Sequence, residues 1–330
     1  MSYNSVLVKT PLRVSFFGGG TDFEYFYSKN ECCLISSAID KFIYVIIKKG
    51  SGFYPDKFRI NYSTVEKVNN INHITNNIVR ETLKYFKIKD SLNITIINDI
   101  PAGSGLGSSS SFCLALVIAI NKLFKLNIKK KELLRIVIDI EIKKINSPIG
   151  IQDYLPALNG NLNFYKFNNV NKIQRKRINS KFAKNIFKSI CLIWTGSFRD
   201  ANSILKDQSS KKNKNTKELN SILELSKKVY KKIFTNKMDI KFFGKYIKET
   251  WILKTKLSKK VYSTKLVKFE NKFNSTNGIY GYKLLGAGGD GFFLVVANKN
   301  AQVKLKKFYG SSFLSIDKYD FPAQSFYLNR

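Results

Sequence analysis

The chain has 330 residues, 44% of them hydrophobic, and 57 Lys and Arg against 23 Asp and Glu give a formal net charge of +34. That length exceeds the usual single domain and the apolar share suffices for packed cores, so two domains around one cleft are expected. No apolar stretch reaches the roughly 18 to 20 residues that span a membrane, MSYNSVLVKT is no signal peptide, and one histidine with four cysteines excludes a zinc set or a cytosolic disulfide framework.

The same scarcity constrains catalysis. A Ser/His or Cys/His mechanism could use only His73, which sits in the polar run NNINHITNN and reads as a surface residue. A general base is therefore expected to be a carboxylate or a lysine. The charge fits a nucleic-acid surface, but the lysines are spread along the whole chain with an excess of Asn and Ile, which reads as compositional bias and solvated lysine faces. In either case a basic surface attracts phosphorylated substrates.

In chain order, residues 5–16 read as one or two strands interrupted at Pro11 and run into GGGTD, residues 18–22. FIYVIIKK, 42–49, is a second strand, and NNIVRETLKYFK, 76–87, is a helix. SLNITIIND alternates as a half-buried strand and leads into IPAGSGLGSSSS, residues 100–111, followed by the apolar run FCLALVIAI. The order is strand, glycine-rich turn, helix. IKKKELLRIVIDIEIKKIN is an amphipathic helix with Leu133, Leu134, Val137, Ile138 and Ile142 on one face, stopped by Pro148 and Gly150. GIQDYLPALNG then makes a turn or short helix, NLNFYKF a strand, and the basic run NNVNKIQRKRINSK a boundary.

Beyond it, SICLIWTG is a strand leading to a helix that starts near Asp200, and SSKKNKNTKE is an exposed loop. Helices are expected over 219–234 and 240–257. KLLGAGGDGFFLVVAN is a glycine turn running into a strand, NAQVKLKKFY a helix, and 324–328 a last strand. The expected division is 1–175 and 176–330.

The loop at 100–111 is an anion cradle. Gly103, Gly105 and Gly107 permit positive φ and close backbone approach, and the first amides of the following helix lack partners and carry partial positive charge. It is neither a Walker A loop, lacking GK[ST], nor a dinucleotide fingerprint. A flexible Gly/Ser linker is the plainer alternative. Two other glycine turns also border strands: PLRVSFFGGGTD, with Arg13 and Asp22 on either side, and GAGGDG, 286–291. The three in this order form a far more specific signal than any one alone.

PLRVSFFGGGTD, PAGSGLGSSSS and GAGGDG resemble the three motifs of the GHMP kinases, named for galactokinase, homoserine kinase, mevalonate kinase and phosphomevalonate kinase. GGGTD, GIQDYLPALNG and WTGSFRDANSIL look most like the D-glycero-D-manno-heptose 7-phosphate kinase branch, whereas galactokinases turn differently at the first motif. The resemblance implies a two-domain α+β fold, its N-terminal domain like one found in ribosomal proteins and its C-terminal domain ferredoxin-like, with ATP in the cleft. The implied activity is Mg²⁺-dependent phosphorylation of the anomeric hydroxyl of a heptose 7-phosphate, in the cytoplasm, for surface polysaccharide synthesis.

The same resemblance assigns roles. Pro101, Gly103, Ser104, Gly105, Leu106, Gly107, Ser108, Ser109 and Ser110 would wrap the ATP phosphates, and Ser109 and Glu141 would hold Mg²⁺. Asp153 would contact the acceptor hydroxyl as the catalytic acid-base group, with Arg13 neutralising the acceptor side. Gly18, Gly19, Gly20, Thr21, Asp22, Gln152, Thr195, Arg199, Gly288 and Gly289 fall on the sugar side, Arg199 as a grip for the 7-phosphate and Lys9 as a further phosphate contact. The bland alternatives are a solvated Glu141, a turn-capping Asp153, an Arg13–Asp22 ion pair and a surface Arg199. Asp290, departing from the commoner glycine or serine of the third turn, is expected to point outward. An unphosphorylated sugar as substrate, or a nucleic-acid partner for the basic surface, remain alternatives; no membrane partner is expected, and the oligomeric state stays open, a homodimer included.

Overall fold

A long antiparallel pair carries the first half of the molecule. The computed structural model describes residues 4–197, 201–210, 214–317 and 319–328. In it β1 (Ser5–Phe17) runs beside β2 (Cys32–Lys49), with the one-turn helix α1 (Glu24–Tyr27) in the connection. Pro11 does not end the strand. It stays paired with Phe42, and the register shifts between Pro11 and Arg13. Such an irregularity accommodates a residue with no amide to give the ladder. It also releases the Arg13 amide, which donates out of the sheet to the Leu106 carbonyl at 3.0 Å.

The chain continues through β3 (Phe58–Asn61), β4 (Val65–Val68), α2 (Asn77–Tyr85) and β5 (Leu92–Asn98). β5 lies between β2 and β3, antiparallel to the first and parallel to the second. Next come α3 (Ser108–Leu123), α4 (Lys130–Val137), a π-helical stretch (Ile138–Lys144), a 3₁₀ turn (Ile151–Asp153), α5 (Tyr154–Asn159), β6 (Leu162–Phe167) and β7 (Gln174–Arg177). α3 packs against β1 and β2 and is buried on nearly every side, as the apolar run at its centre requires. The expected boundary at 175/176 falls inside β7, whose residues QRKR are all exposed, a charged edge that discourages further strand pairing.

The second half comprises α6 (Ser180–Lys188), β8 (Ile190–Trp194), α7 (Ala201–Ser210), α8 (Thr216–Phe234), α9 (Ile240–Thr255), α10 (Thr264–Ser275), β9 (Ile279–Leu284), β10 (Phe292–Ala297), α11 (Lys299–Tyr309), β11 (Phe313–Ser315) and β12 (Gln324–Tyr327). Four of these strands form an antiparallel sheet in the order β11-β8-β10-β9. It covers its own aromatic core of Trp251, Phe273, Tyr282 and Phe293. β12 crosses back and pairs with β1, so the end of the chain completes the first, eight-stranded sheet. Helices on both sides of SSKKNKNTKE reach further than their sequence pattern, to Ser210 and from Thr216.

Candidate active site

The cleft between the two sheets is lined by all three glycine turns. In the central one Gly103, Gly105 and Gly107 adopt φ of 77°, 83° and 76°, a region in which any Cβ is strained. Gly107 caps α3, so the amides of Ser108, Ser109 and Ser110 open the helix without intrahelical acceptors and line the cleft with its positive end. Pro101, Ser104 and Leu106 do not line it. Pro101 is exposed, Leu106 is buried, and the Ser104 carbonyl accepts the Phe292 amide at 3.2 Å. The alternating loop shows one set of residues to the cavity and uses the other to seat itself.

That seat is the third glycine turn. A Cβ on Gly105 would stand 2.9 Å from the Leu285 carbonyl oxygen, and one on Gly286 would stand 2.5 Å from Gly105 Cα. The two turns are back to back, closer than side chains allow. Arg13 locks them from β1: Nη1 donates to the Gly105 carbonyl at 2.6 Å, while Nε and Nη2 donate to the two oxygens of Asp153, each at 2.8 Å. Arg13 therefore pairs with Asp153 and not with Asp22. Both members line the cavity, together with Gln152, whose Oε1 accepts from Ser15.

Glu141 is 1% exposed, which removes the solvated alternative. The expected single helix widens into the π-helical stretch at this point, a distortion that recurs at functional sites because it re-aims side chains. Glu141 Oε1 accepts from Ser109 at 2.5 Å and Oε2 from the Tyr154 hydroxyl at 2.6 Å. Burial pushes its carboxyl pKa up, and the two hydroxyl donors pull it back. A hydroxyl and a carboxylate in contact beside the positive end of a helix fit Mg²⁺, which takes a few hard oxygens from protein and the rest from phosphate and water.

The first glycine turn divides. Gly19 and Gly20 line the cavity, but Gly18, Thr21 and Asp22 stand behind its wall. A Cβ on Gly18 would lie 2.0 Å from the Cys33 carbonyl oxygen, so this glycine serves the contact with β2 rather than a sugar. Thr21 donates to the Gly18 carbonyl at 2.7 Å. Asp22 accepts the amides of Gly20 and Gln152 at 2.9 and 3.0 Å, tying the first turn to the segment that carries Asp153. Desolvation there raises its pKa to about 6.

In the third motif Gly288 lines the cavity and Gly289 does not, its amide donating to Val261. Thr195 is likewise structural: its hydroxyl donates to the Gly291 carbonyl at 2.9 Å and accepts the Gly291 amide at 3.0 Å. Asp290 faces the cavity and not outward, with Lys265 3.7 Å from its Oδ1. Lys9 lies 3.7 Å over the Phe42 ring, away from the cleft. Arg199 lies outside the described residues.

Two buried lysines on the cavity carry no motif signal in the sequence reading. Lys254 of α9 donates to the carbonyls of Leu284 and Gly286, and Lys283 of β9 donates to the Phe16 carbonyl at 3.0 Å. Burial lowers the Lys254 pKa to about 7, with Arg13 lowering it further and Asp153 opposing, and Lys283 is lowered well below its ordinary value by burial, Lys254 and Arg13. Among so many lysines neither has a distinguishing local pattern; the one available signal is that Lys283 directly precedes LLGAGGDG.

The family model described as "GHMP kinases N terminal domain" matches residues 72–161. The chain is 25% identical over 319 residues to D-glycero-alpha-D-manno-heptose 7-phosphate kinase of Campylobacter jejuni, covering 92% of each. It is 24% identical over 157 residues to galactokinase of Thermotoga maritima, covering 46% of this chain and 43% of the other. Its fold is similar to that of a D-glycero-D-manno-heptose 1-phosphate kinase from Bacteroides thetaiotaomicron, with a TM-score of 0.77 and 17% identity over 98% of this chain and 100% of that one.

Proposed function

We propose that this chain is a GHMP kinase, an ATP-dependent sugar kinase whose acceptor is the anomeric hydroxyl of D-glycero-D-manno-heptose 7-phosphate. The product would be the 1,7-bisphosphate, made in the cytoplasm for nucleotide-activated heptose and surface polysaccharide. The observation that carries the reading is the Arg13–Asp153 pair facing the phosphate loop in one cavity. The likeness to a heptose 7-phosphate kinase along nearly the whole chain supports the substrate. In this reading residues 1–175 and 176–330 are the two domains, with β12 returned to the first.

The loop glycines and the amides of Ser108, Ser109 and Ser110 bind the phosphates of ATP. Ser109 and Glu141 would hold Mg²⁺, which when bound supplies charge neutralisation on the phosphate oxygens. Arg13 fixes both oxygens of Asp153 and leaves each a free lone pair. Asp153 takes the proton of the sugar hydroxyl as its oxygen bonds to the γ-phosphorus and the bond to the β,γ-bridging oxygen breaks. Gly19, Gly20 and Gln152 form the sugar wall, and Asp22 holds that wall in register. The excess of lysine draws in both phosphorylated substrates.

The test is ADP release with Mg²⁺ and ATP across heptose 7-phosphate, free heptose, mannose 6-phosphate, fucose, galactose and mevalonate. Turnover confined to the heptose phosphate is expected. A second reading, phosphorylation of an unphosphorylated sugar, is favoured by the galactokinase likeness over the first half of the chain; turnover on a free sugar alone would replace the first reading with it.

A further inference from the structure

Lys254 stands where no mechanism above uses it. Its nitrogen reaches the cavity from α9, next to the Arg13–Asp153 pair and against the carbonyl backbone of the third glycine turn. The charged groups that face it are Arg13 from β1, Lys283 from β9 and Asp153 from the 3₁₀ turn. Both Asp153 oxygens are already engaged by Arg13. Among the described residues neither lysine has a carboxylate within ion-pair distance, and the Lys283 amine donates to the Phe16 carbonyl. Two lysines and an arginine thus stand around one carboxylate that Arg13 already occupies, an arrangement with room for added anionic charge.

A neutral amine suits the empty site. It gives its two N–H groups to the Leu284 and Gly286 carbonyls and keeps one tetrahedral position, a lone pair, for the cavity. Protonation turns that lone pair into a third N–H, the group a phosphate oxygen needs. Gly286 also abuts Gly105 of the phosphate loop, so the amine is anchored to the backbone against which the phosphates would lie.

We propose that Lys254 is a further catalytic residue, contacting the transferred phosphoryl group and supplying positive charge that the site acquires only when phosphate oxygens enter. The proposal rests on the kinase reading and not on the identity of the sugar. The charge arises because a nearby anion favours the ammonium form, reversing the effect of burial. Lys254 differs from Arg13, which is charged before any substrate arrives and is occupied with Asp153.

The test measures MgATP binding at pH 8 without sugar, by calorimetry in two phosphate-free buffers of different ionisation enthalpy. The wild-type enzyme should take up close to one proton on binding. Lys254→Met should take up none and should lose at least about 100-fold in kcat on whichever sugar the wild type accepts, as loss of a group acting on the transition state does. Lys254→Arg, charged throughout, should also bind without proton uptake and recover part of the lost turnover. Absence of uptake by the wild type, equal uptake by Lys254→Met, or a kcat within threefold of wild type in that variant would each overturn the proposal. Failure of the kinase reading is separate: the wild type would then release no ADP with any sugar.

Discussion

Arg13 and Asp153, 140 positions apart in the chain, meet in a two-pronged ion pair with both contacts at 2.8 Å. The third guanidinium arm holds the Gly105 carbonyl, so one arginine sets the distance between Asp153 and the central glycine loop. A planar fork is the side chain that can do this, since a lysine offers a point charge without direction.

Asp153→Asn keeps an oxygen for Arg13 and leaves the loop untouched. Turnover should fall by about 10² to 10⁴, the usual worth of a general base, with MgATP affinity retained. Near-normal turnover would remove Asp153 from the proton transfer. Arg13→Lys should cost turnover as well, because the fork is lost, and should leave Asp153 present but poorly aimed.

Glu141→Gln tests the proposed metal ligands. The amide can still meet Ser109 and Tyr154 but carries no charge for a cation, so saturation should require more Mg²⁺. An unchanged Mg²⁺ titration would mean that Glu141 only braces Tyr154 and α3.

The central loop and its helix were legible because their chemistry is local: alternating glycines, a serine-rich start and an apolar run lie within 21 residues, 100–120. The pairings were not. Arg13 with Asp153, and Asp22 with the Gln152 amide, are contacts across folded elements that spacing does not encode. Gly18, Thr21 and Thr195 carry motif positions, yet their side chains or missing Cβ serve backbone contacts, so motif membership alone overstated their exposure to substrate. Asp290 departs from the commoner glycine or serine of its turn yet faces the cavity, where Lys265 approaches its carboxylate from another element, a contact that spacing does not encode either. Lys254 is the opposite case: the proposed role sits on a residue type so abundant that composition hides it.

Asp22 predicts a pH effect on stability. Its native pKa is near 6 against about 3.9 in the unfolded chain, so between those values the native state binds more protons. Its contribution is therefore fully present below pH 4 and is lost as pH rises through 6. Asp22→Asn should flatten that slope in urea melts. It should also cost about 1–3 kcal/mol, because the asparagine NH₂ would face one of the two amides that the carboxylate satisfies.

Gly286→Ala should damage binding and stability together. Gly286 has φ of 67°, and the new methyl would stand 2.5 Å from Gly105 Cα, a backbone atom that cannot swing aside. Separating the two turns would displace the phosphate loop, so MgATP affinity should fall together with thermal stability. Gly310→Ala is the control: φ is 53° and nothing lies within 4 Å, so only the modest strain of a left-handed residue should appear, without change in affinity.

Lys254 should oppose stability while serving activity. Its native pKa near 7 lies below the unfolded value of about 10.4, so across that window the unfolded chain holds a proton that the native state lacks. Wild-type stability should accordingly rise with pH from 7 towards 10 through this group. Lys254→Met removes the buried amine and its penalty, and should be more stable than wild type by about 1–3 kcal/mol at pH 7, after allowance for the two carbonyls that lose their donor. The advantage should shrink as pH approaches 10, where the unfolded lysine also becomes neutral. A stability difference that stays constant from pH 7 to 10 would show that Lys254 is charged in the empty site, and a variant that is both less stable and fully active would make this lysine a structural brace for the third glycine turn.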